Sequence, residues 1–326
     1  MKALVRILGL AAVAGLAAAC EPLDIDWGDG GGGGGGGGAF SSGFVFVRNG
    51  TDGRNVYAVD EDGNANLPLR LTTEGGAYEP TVSRSGLLVA FVYRSNSGWE
   101  IRTVPTTGTG RASTVVSSTS TSCPRCSNFR YPTISPTGET IVFTLTSNNT
   151  PALARVNIDG TGFRILVTGN YASYGAASFY PNGSSVLMAA GYGAGQLNTL
   201  LNVNVTTGAS NVITSSLGNT GAVSVVSRAV VSPDGTRVAF DGQTNNGSQI
   251  FVGQLGSQNL SSVTQLTRHT GESFVMDTWP SWRGNTEVTF LSNSGGNDNI
   301  YRISTATTGA GTLLVPGALE PSYGGT

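Results

Sequence analysis

The sequence predicts an all-β fold, a six-bladed β-propeller of four-stranded antiparallel blades whose ring is closed by pairing of the N- and C-terminal strands. Three observations carry that prediction. Short apolar runs are separated throughout by Gly, Ser, Thr and Asn, with no convincing amphipathic helix from about residue 43 onward. One turn motif returns along almost the whole of that length. The two ends of the region are out of phase with the repeat by one strand.

The best copy of the motif is Arg228-Ala-Val-Val-Ser-Pro-Asp-Gly-Thr-Arg-Val-Ala-Phe240. Pro233 presets φ for the second position of a type I turn, Asp234 suits the third, and Gly235 can take the left-handed conformation that closes a bulged hairpin. Related stretches start at Pro80, Pro132, Ala177, Ala229, Pro280 and Pro321, at intervals of 52, 45, 52, 51 and 41 residues. Periods of that size, each holding several short strands, are the signature of propeller blades.

Each copy opens with a short first strand leading into the turn. The second strands are Phe44–Phe46, Val89–Phe91, Ile141–Phe143, Val186–Met188, Val238–Phe240 and Val288–Phe290. The third strands are Val56–Val59, Ile101–Val104, Leu153–Val156, Leu201–Val205, Ile250–Val252 and Ile300–Ile303. The fourth strands are Leu69–Leu71, Val115–Val116, Ile165–Val167, Val212–Ile213, Gln265–Leu266 and Leu313–Val315. The first blade thus begins at its second strand, and Glu320–Gly325 supplies a first strand with nothing after it. Pairing the two would complete the ring and bury edges that otherwise template aggregation.

Residues 1–20 read as a signal peptide, with basic Lys2 and Arg6, an apolar run from Ile7 to Ala18 too short to span a bilayer, and small residues before Cys20. Leu16-Ala-Ala-Ala-Cys20 resembles the bacterial lipobox, which implies lipidation of Cys20; the plainer alternative is an ordinary secretory signal. Glu21 after the cysteine, by resemblance to enterobacterial lipoproteins, points to the outer membrane. Residues 21–42 are acidic and then glycine-rich, with an unbroken run from Gly30 to Gly38, and read as a flexible tether spanning on the order of 15–25 Å. The propeller is expected over 43–326, with the lipid as its sole attachment to a membrane.

Ser232-Pro-Asp-Gly-Thr-Arg-Val-Ala-Phe240, with an apolar strand before it and Gln265-Leu-Thr267 leading to the next blade, resembles the repeat of TolB-like (WD40-like, PD40) β-propellers. The resemblance covers roughly residues 43–326. TolB itself carries an α/β domain before its propeller, where this chain has the tether. The family implies a periplasmic or cell-surface binding platform, often with protein partners.

Composition narrows the chemistry. Beyond Lys2 there is no lysine, and His269 is the single histidine, which excludes lysine-based mechanisms and multi-histidine metal sites. No metal or other cofactor is implied, and no nucleophile elbow or phosphate loop occurs. Charged residues make up 12% of the chain and the formal net charge is -2, so no basic patch invites nucleic acid. Cys123-Pro-Arg-Cys126 lies between the second and third blades, where an oxidising envelope favours a local disulfide. Asp60-Glu-Asp-Gly-Asn64 reads as an acidic hairpin, since its glycine falls too early for a calcium loop.

Loops entering the first strands gather at one mouth of the central channel. The residue before each motif start would ring it: Glu79, Tyr131, Ala176, Arg228, Trp279 and Glu320. Tyr78, Arg130, Arg268, His269, Asp277 and Trp282 stand near them, a mixture of aromatic and charged groups enriched at binding centres. The binding residues expected are therefore Glu79, Tyr131, Arg228, His269, Trp279 and Glu320. The function expected is a non-enzymatic, envelope-anchored binding or scaffolding module that engages a protein partner or ligand at the mouth. The alternative is a carbohydrate-active enzyme, which would need Glu79 and Glu320 accessible at glycosidase separation.

Overall fold

Among the described residues of the computed structural model there are twenty-four β-strands, one 3-10 turn at Ser294–Gly296 and no α-helix. Those residues are 40–325 apart from 41, 62–67, 109–110, 194–195, 215–216, 218–221, 223 and 273. The signal peptide, Cys20 and the glycine run lie outside them. Phe40 and Ser42, assigned above to the tether, belong to the fold: Phe40 is buried among Val45, Leu71 and Val89, and Ser42 donates to Glu61 at 3.2 Å.

The chain opens with β1 (Gly43–Gly50), β2 (Gly53–Asp60) and β3 (Leu69–Arg70). Four-stranded antiparallel meanders follow. They are β4 (Ala77–Val82) to β7 (Ser113–Ser117) through β5 (Leu88–Ser95) and β6 (Gly98–Pro105), then β8 (Cys126–Ile134), β9 (Thr140–Ser147), β10 (Thr150–Asn157) and β11 (Arg164–Thr168). Next come β12 (Ser173–Phe179), β13 (Ser185–Gly191), β14 (Thr199–Asn204) and β15 (Ser210–Thr214), and after them β16 (Ser224–Val231), β17 (Arg237–Thr244), β18 (Gly247–Leu255) and β19 (Leu260–Gln265). The last set is β20 (Val275–Arg283), β21 (Glu287–Ser292), β22 (Asn299–Ser304) and β23 (Thr312–Pro316). The final strand, β24 (Leu319–Gly324), returns to β1, pairing Gly324 with Gly43, Tyr323 with Phe44 and Ser322 with Val45. The first strands touch in sequence, β4 to β8, β12, β16, β20 and β24, and β24 touches β4.

The second strands explain the packing. Phe44 and Phe46, Val89 and Phe91, Ile141 and Phe143, Val186 and Met188, Val238 and Phe240, and Val288 and Phe290 all face the preceding meander. The residues between them, Val45, Ala90, Val142, Leu187 and Ala239, face the following one. Side chains alternate across a strand, so a strand apolar at every position can be buried on both faces, and each fully buried Phe contributes about 1.5–3 kcal/mol. Smaller residues on one side let the larger ones of the next meander approach.

The hairpin after β16 forms as its residues dictate. Gly235 has φ 76° and its N–H donates to the Ser232 carbonyl at 2.8 Å, while Asp234 accepts from Thr236 N–H at 3.0 Å. Gly86, Gly138 and Gly183 close the equivalent turns with φ of 74°, 78° and 70°. The fourth strands depart from expectation: β3 stops before Leu71 and β19 covers Leu260–Gln265 in place of Gln265–Leu266. A register shift, such as that between Val252 and Gln254, interrupts these outer ladders, and Leu266 bonds to Ile250 beyond the strand's end.

Candidate binding site at the convergence of the first strands

Every first strand carries a register shift against its second strand, and in four of them the residue just before the repeated motif is a non-glycine in the left-handed region. Those residues are Glu79 (φ 54°), Tyr131 (55°), Trp279 (57°) and Glu320 (54°). Such a backbone costs roughly 1–3 kcal/mol and persists only where its surroundings hold it. Carboxylates hold three of them. Glu79 N–H donates to Glu320 at 2.6 Å, Tyr131 N–H to Glu79 at 2.6 Å, and Trp279 N–H to Asp241 at 3.0 Å. Each carboxylate thus braces the bulge of the next meander.

The charged groups of this layer are largely paired. Glu79, whose side chain is 2% exposed, also receives Arg130, and Glu320 receives Arg54 at 2.8 Å. Burial pushes the Glu79 carboxyl above its usual range, against the pull of Arg130, and neighbouring Glu320 adds to the rise. Burial likewise pushes the Tyr131 hydroxyl up to about 12. Asp241, fully buried, accepts from the backbone of Val226, Ser227 and Arg228 at 2.8–3.1 Å and from the Ser227 hydroxyl. Its desolvation raises its pKa, opposed by those donors.

Below the bulges a second layer of hydroxyls joins neighbouring first strands. Ser178 accepts from Val231 N–H at 3.0 Å, Ser281 from Tyr323 N–H at 3.0 Å, and Ser322 from Val82 N–H at 3.3 Å. Thr133 donates to the Ala177 carbonyl at 2.8 Å, and Trp282 Nε1 to the Val230 carbonyl at 2.9 Å.

These strands enclose a cavity of about 190 Å³ to which all of them contribute, among others through Thr81, Thr133, Ala177, Val230, Ser281 and Ser322. Arg228 and Ala176 line it at the level of the bulges; Arg84, Pro136, Pro181 and Pro233 line it among the hairpins. Of the residues expected to ring the mouth, Arg228 and Ala176 therefore reach this cavity, whereas Glu79, Tyr131, Trp279 and Glu320 do not line it. The Arg228 guanidinium stacks on Trp279, 4.0 Å from the ring centroid, and Tyr131 lies 5.9 Å from the same ring. Arg228 is 9% exposed, its Nε is buried without a partner, and burial lowers its pKa.

His269 sits elsewhere. Its Nε2 lies 2.8 Å from Asp277, beside a separate polar cavity of about 330 Å³ lined by Gln249, Gln265, Arg268 and Glu272. Cys123 and Cys126 form a disulfide, with Cα atoms 5.5 Å apart, in the apolar cluster that holds Phe129 and Phe143. Among the described residues no group of three or more His, Cys, Asp and Glu is placed to hold a metal ion.

Sequence reasoning missed Asp241 and the stack in which Arg94 lies between Tyr78 (4.3 Å) and Trp99 (4.1 Å). For Asp241 a signal existed. The position after each conserved-pattern Phe or Met of the second strands is Val47, Val92, Thr144, Ala189 and Leu291 in the other repeats, so a lone carboxylate there marks a special contact.

No protein-family profile matches the sequence, and no curated protein does. Solved structures do match by shape. TolB from Acinetobacter baumannii superposes with a TM-score of 0.66 at 16% identity over 88% of this chain and 67% of that one. A TolB structure from Agrobacterium tumefaciens gives 0.58 at 15% identity, over 87% and 94%. An oligogalacturonate lyase in complex with manganese gives 0.55 at 13% identity, over 80% and 70%. With the closed succession of first strands, these likenesses identify the fold of this chain as a TolB-like β-propeller.

Proposed function

We propose that this chain is a six-bladed propeller, held at the bacterial cell envelope through a lipidated Cys20 and the glycine-rich tether that follows it, that binds a protein partner or ligand through its central channel. The observation that carries the reading is the division of labour among the inner residues. The carboxylates Glu79, Glu320 and Asp241 are occupied by backbone donors and arginines, while the channel beneath them is a cavity shared by all six blades. Glu79, Tyr131, Trp279 and Glu320 then form the layer above it that sets Arg228 at the channel, and His269 borders a second depression. The glycosidase reading finds less support: it needs two accessible carboxyl groups, and Glu79 is enclosed. The signal and Glu21 support an outer-membrane location, facing the periplasm or the cell surface.

Site-specific photo-crosslinking in cells tests this. A photoreactive residue replacing Arg84, at the channel's hairpin rim, should trap a discrete protein, while one replacing exposed Leu313 on an outer strand should not. Equal trapping at both positions, or trapping at Leu313 alone, would move the interface off the channel.

A further inference from the structure

The channel cavity has an unusual chemical balance. No aspartate or glutamate lines it, yet two arginines do, Arg228 at the bulge end and Arg84 at the hairpin rim. The Nε of the Arg228 guanidinium is buried with no partner. A guanidinium stays protonated and carries five N–H donors, so a site nine-tenths buried without an acceptor is costly unless something else fills it.

The serines point to the same kind of ligand. Ser178, Ser281 and Ser322 each use the hydroxyl oxygen to accept a backbone N–H from the next blade. Accepting leaves the O–H proton free to donate, so the cavity gathers donors without acidic competitors. Asp241 does not serve as that acceptor: its oxygens are taken by four backbone N–H groups and the Ser227 hydroxyl. Its charge nevertheless offsets part of that on Arg228, which suits a monoanion better than a dianion in a poorly solvated site.

We propose that the channel is a carboxylate-binding site, in which the Arg228 fork takes the carboxylate and the channel serines and apolar walls take the group that bears it. Planar carboxylates match the guanidinium fork in two parallel bonds. Val230 and Trp282 supply the apolar wall for an aliphatic or peptide stem. The carboxylate comes either from the free C-terminus of a partner chain or from a small organic acid. This inference deepens the binding reading above and rests on the channel being the engaged surface.

The test is calorimetric titration of residues 21–326 with Cys20 omitted, using butyrate, trialanine and trialanine amide as probes and sodium sulfate at matched ionic strength as control. Saturable binding of butyrate or trialanine, with the amide at least roughly tenfold weaker than the acid, is expected. Arg228→Gln should weaken the acid by at least about tenfold and Arg228→Lys by less, because a lysine keeps the charge and loses the fork. Should Arg228→Gln fail to match the wild-type melt, Arg84→Gln at the exposed rim gives the second reading, with a several-fold loss expected. Absence of saturable binding by both acids, equal binding of acid and amide, or unchanged affinity in these variants would overturn the site. Trialanine binding without butyrate identifies a chain terminus as the source; the reverse identifies a small acid. Acid binding without a rim crosslink would leave the carboxylate site standing and remove the protein-docking reading, and a rim crosslink without acid binding would do the opposite.

Discussion

Replacing Asp241 by Asn probes the bracing of the inner strands most directly. The carboxylate accepts at Oδ1 from Val226, Ser227 and Arg228 N–H, at 3.1, 2.8 and 3.1 Å, and at Oδ2 from the Ser227 hydroxyl and from Trp279 N–H at 3.0 Å. Asn keeps the shape. Its carbonyl can serve the three N–H groups, which turns its NH₂ toward Ser227 and Trp279. The hydroxyl can rotate and accept, but Trp279 N–H is fixed by a backbone at φ 57° and becomes a buried donor facing a donor, at about 1–3 kcal/mol. The three retained bonds lose charge assistance, about 0.5 kcal/mol each, and Arg228 loses its largest opposing charge. Relief of carboxylate burial offsets part of this. We expect a net loss of about 3 kcal/mol, read as a lower urea midpoint at unchanged slope and a melting point lower by roughly 5–10 °C. Asp234→Asn, in an exposed hairpin, is the control and should change stability by no more than about 0.5 kcal/mol. A loss below about 1 kcal/mol for Asp241→Asn would refute the argument that this carboxylate holds the bulge.

Glu79 has a raised folded-state pKa, so its contribution is present below the unfolded value and lost as pH rises through the folded one. The stability of wild type relative to Glu79→Gln should therefore increase as pH is lowered from 7 toward about 4.5, and a decrease over that window in paired urea titrations would contradict it. Ending the chain before Leu319 removes β24, uncovers the fully buried Phe44 and Val45, and takes acceptors from Glu79 and Val82 N–H; circular dichroism should show a melt lowered by more than about 10 °C or no cooperative melt, and an unchanged one would mean that closure is dispensable. The Cys123→Ser/Cys126→Ser variant opens a covalent loop of only four residues, so its loss should not exceed about 2 kcal/mol by chain entropy, checked against wild type melted with and without reductant.

What could be read from the sequence follows from how strongly each part is constrained. The second strands were legible because both faces are buried, which forces an apolar residue at nearly every position from Val238 to Phe240 and in its counterparts. The hairpins were legible because Gly86, Gly138, Gly183 and Gly235 must take positive φ. The outer strands were less so: β19 is exposed along much of its length, and Ser261-Ser-Val-Thr264 carries little apolar signal. The bulges were invisible, since Glu79, Tyr131, Trp279 and Glu320 adopt a left-handed backbone with no glycine to announce it. Counting back from the motif nevertheless selected these four residues, because a repeat conserves position even where it does not conserve chemistry. Their roles diverge for that reason. A carboxylate at such a position can reach the next blade's N–H and is consumed there, whereas Arg228, which has only donors to offer, cannot satisfy a backbone N–H and is left facing the channel. The same slot in the repeat thus yields a brace when it holds an acid and, at Arg228, a channel-lining group when it holds a base.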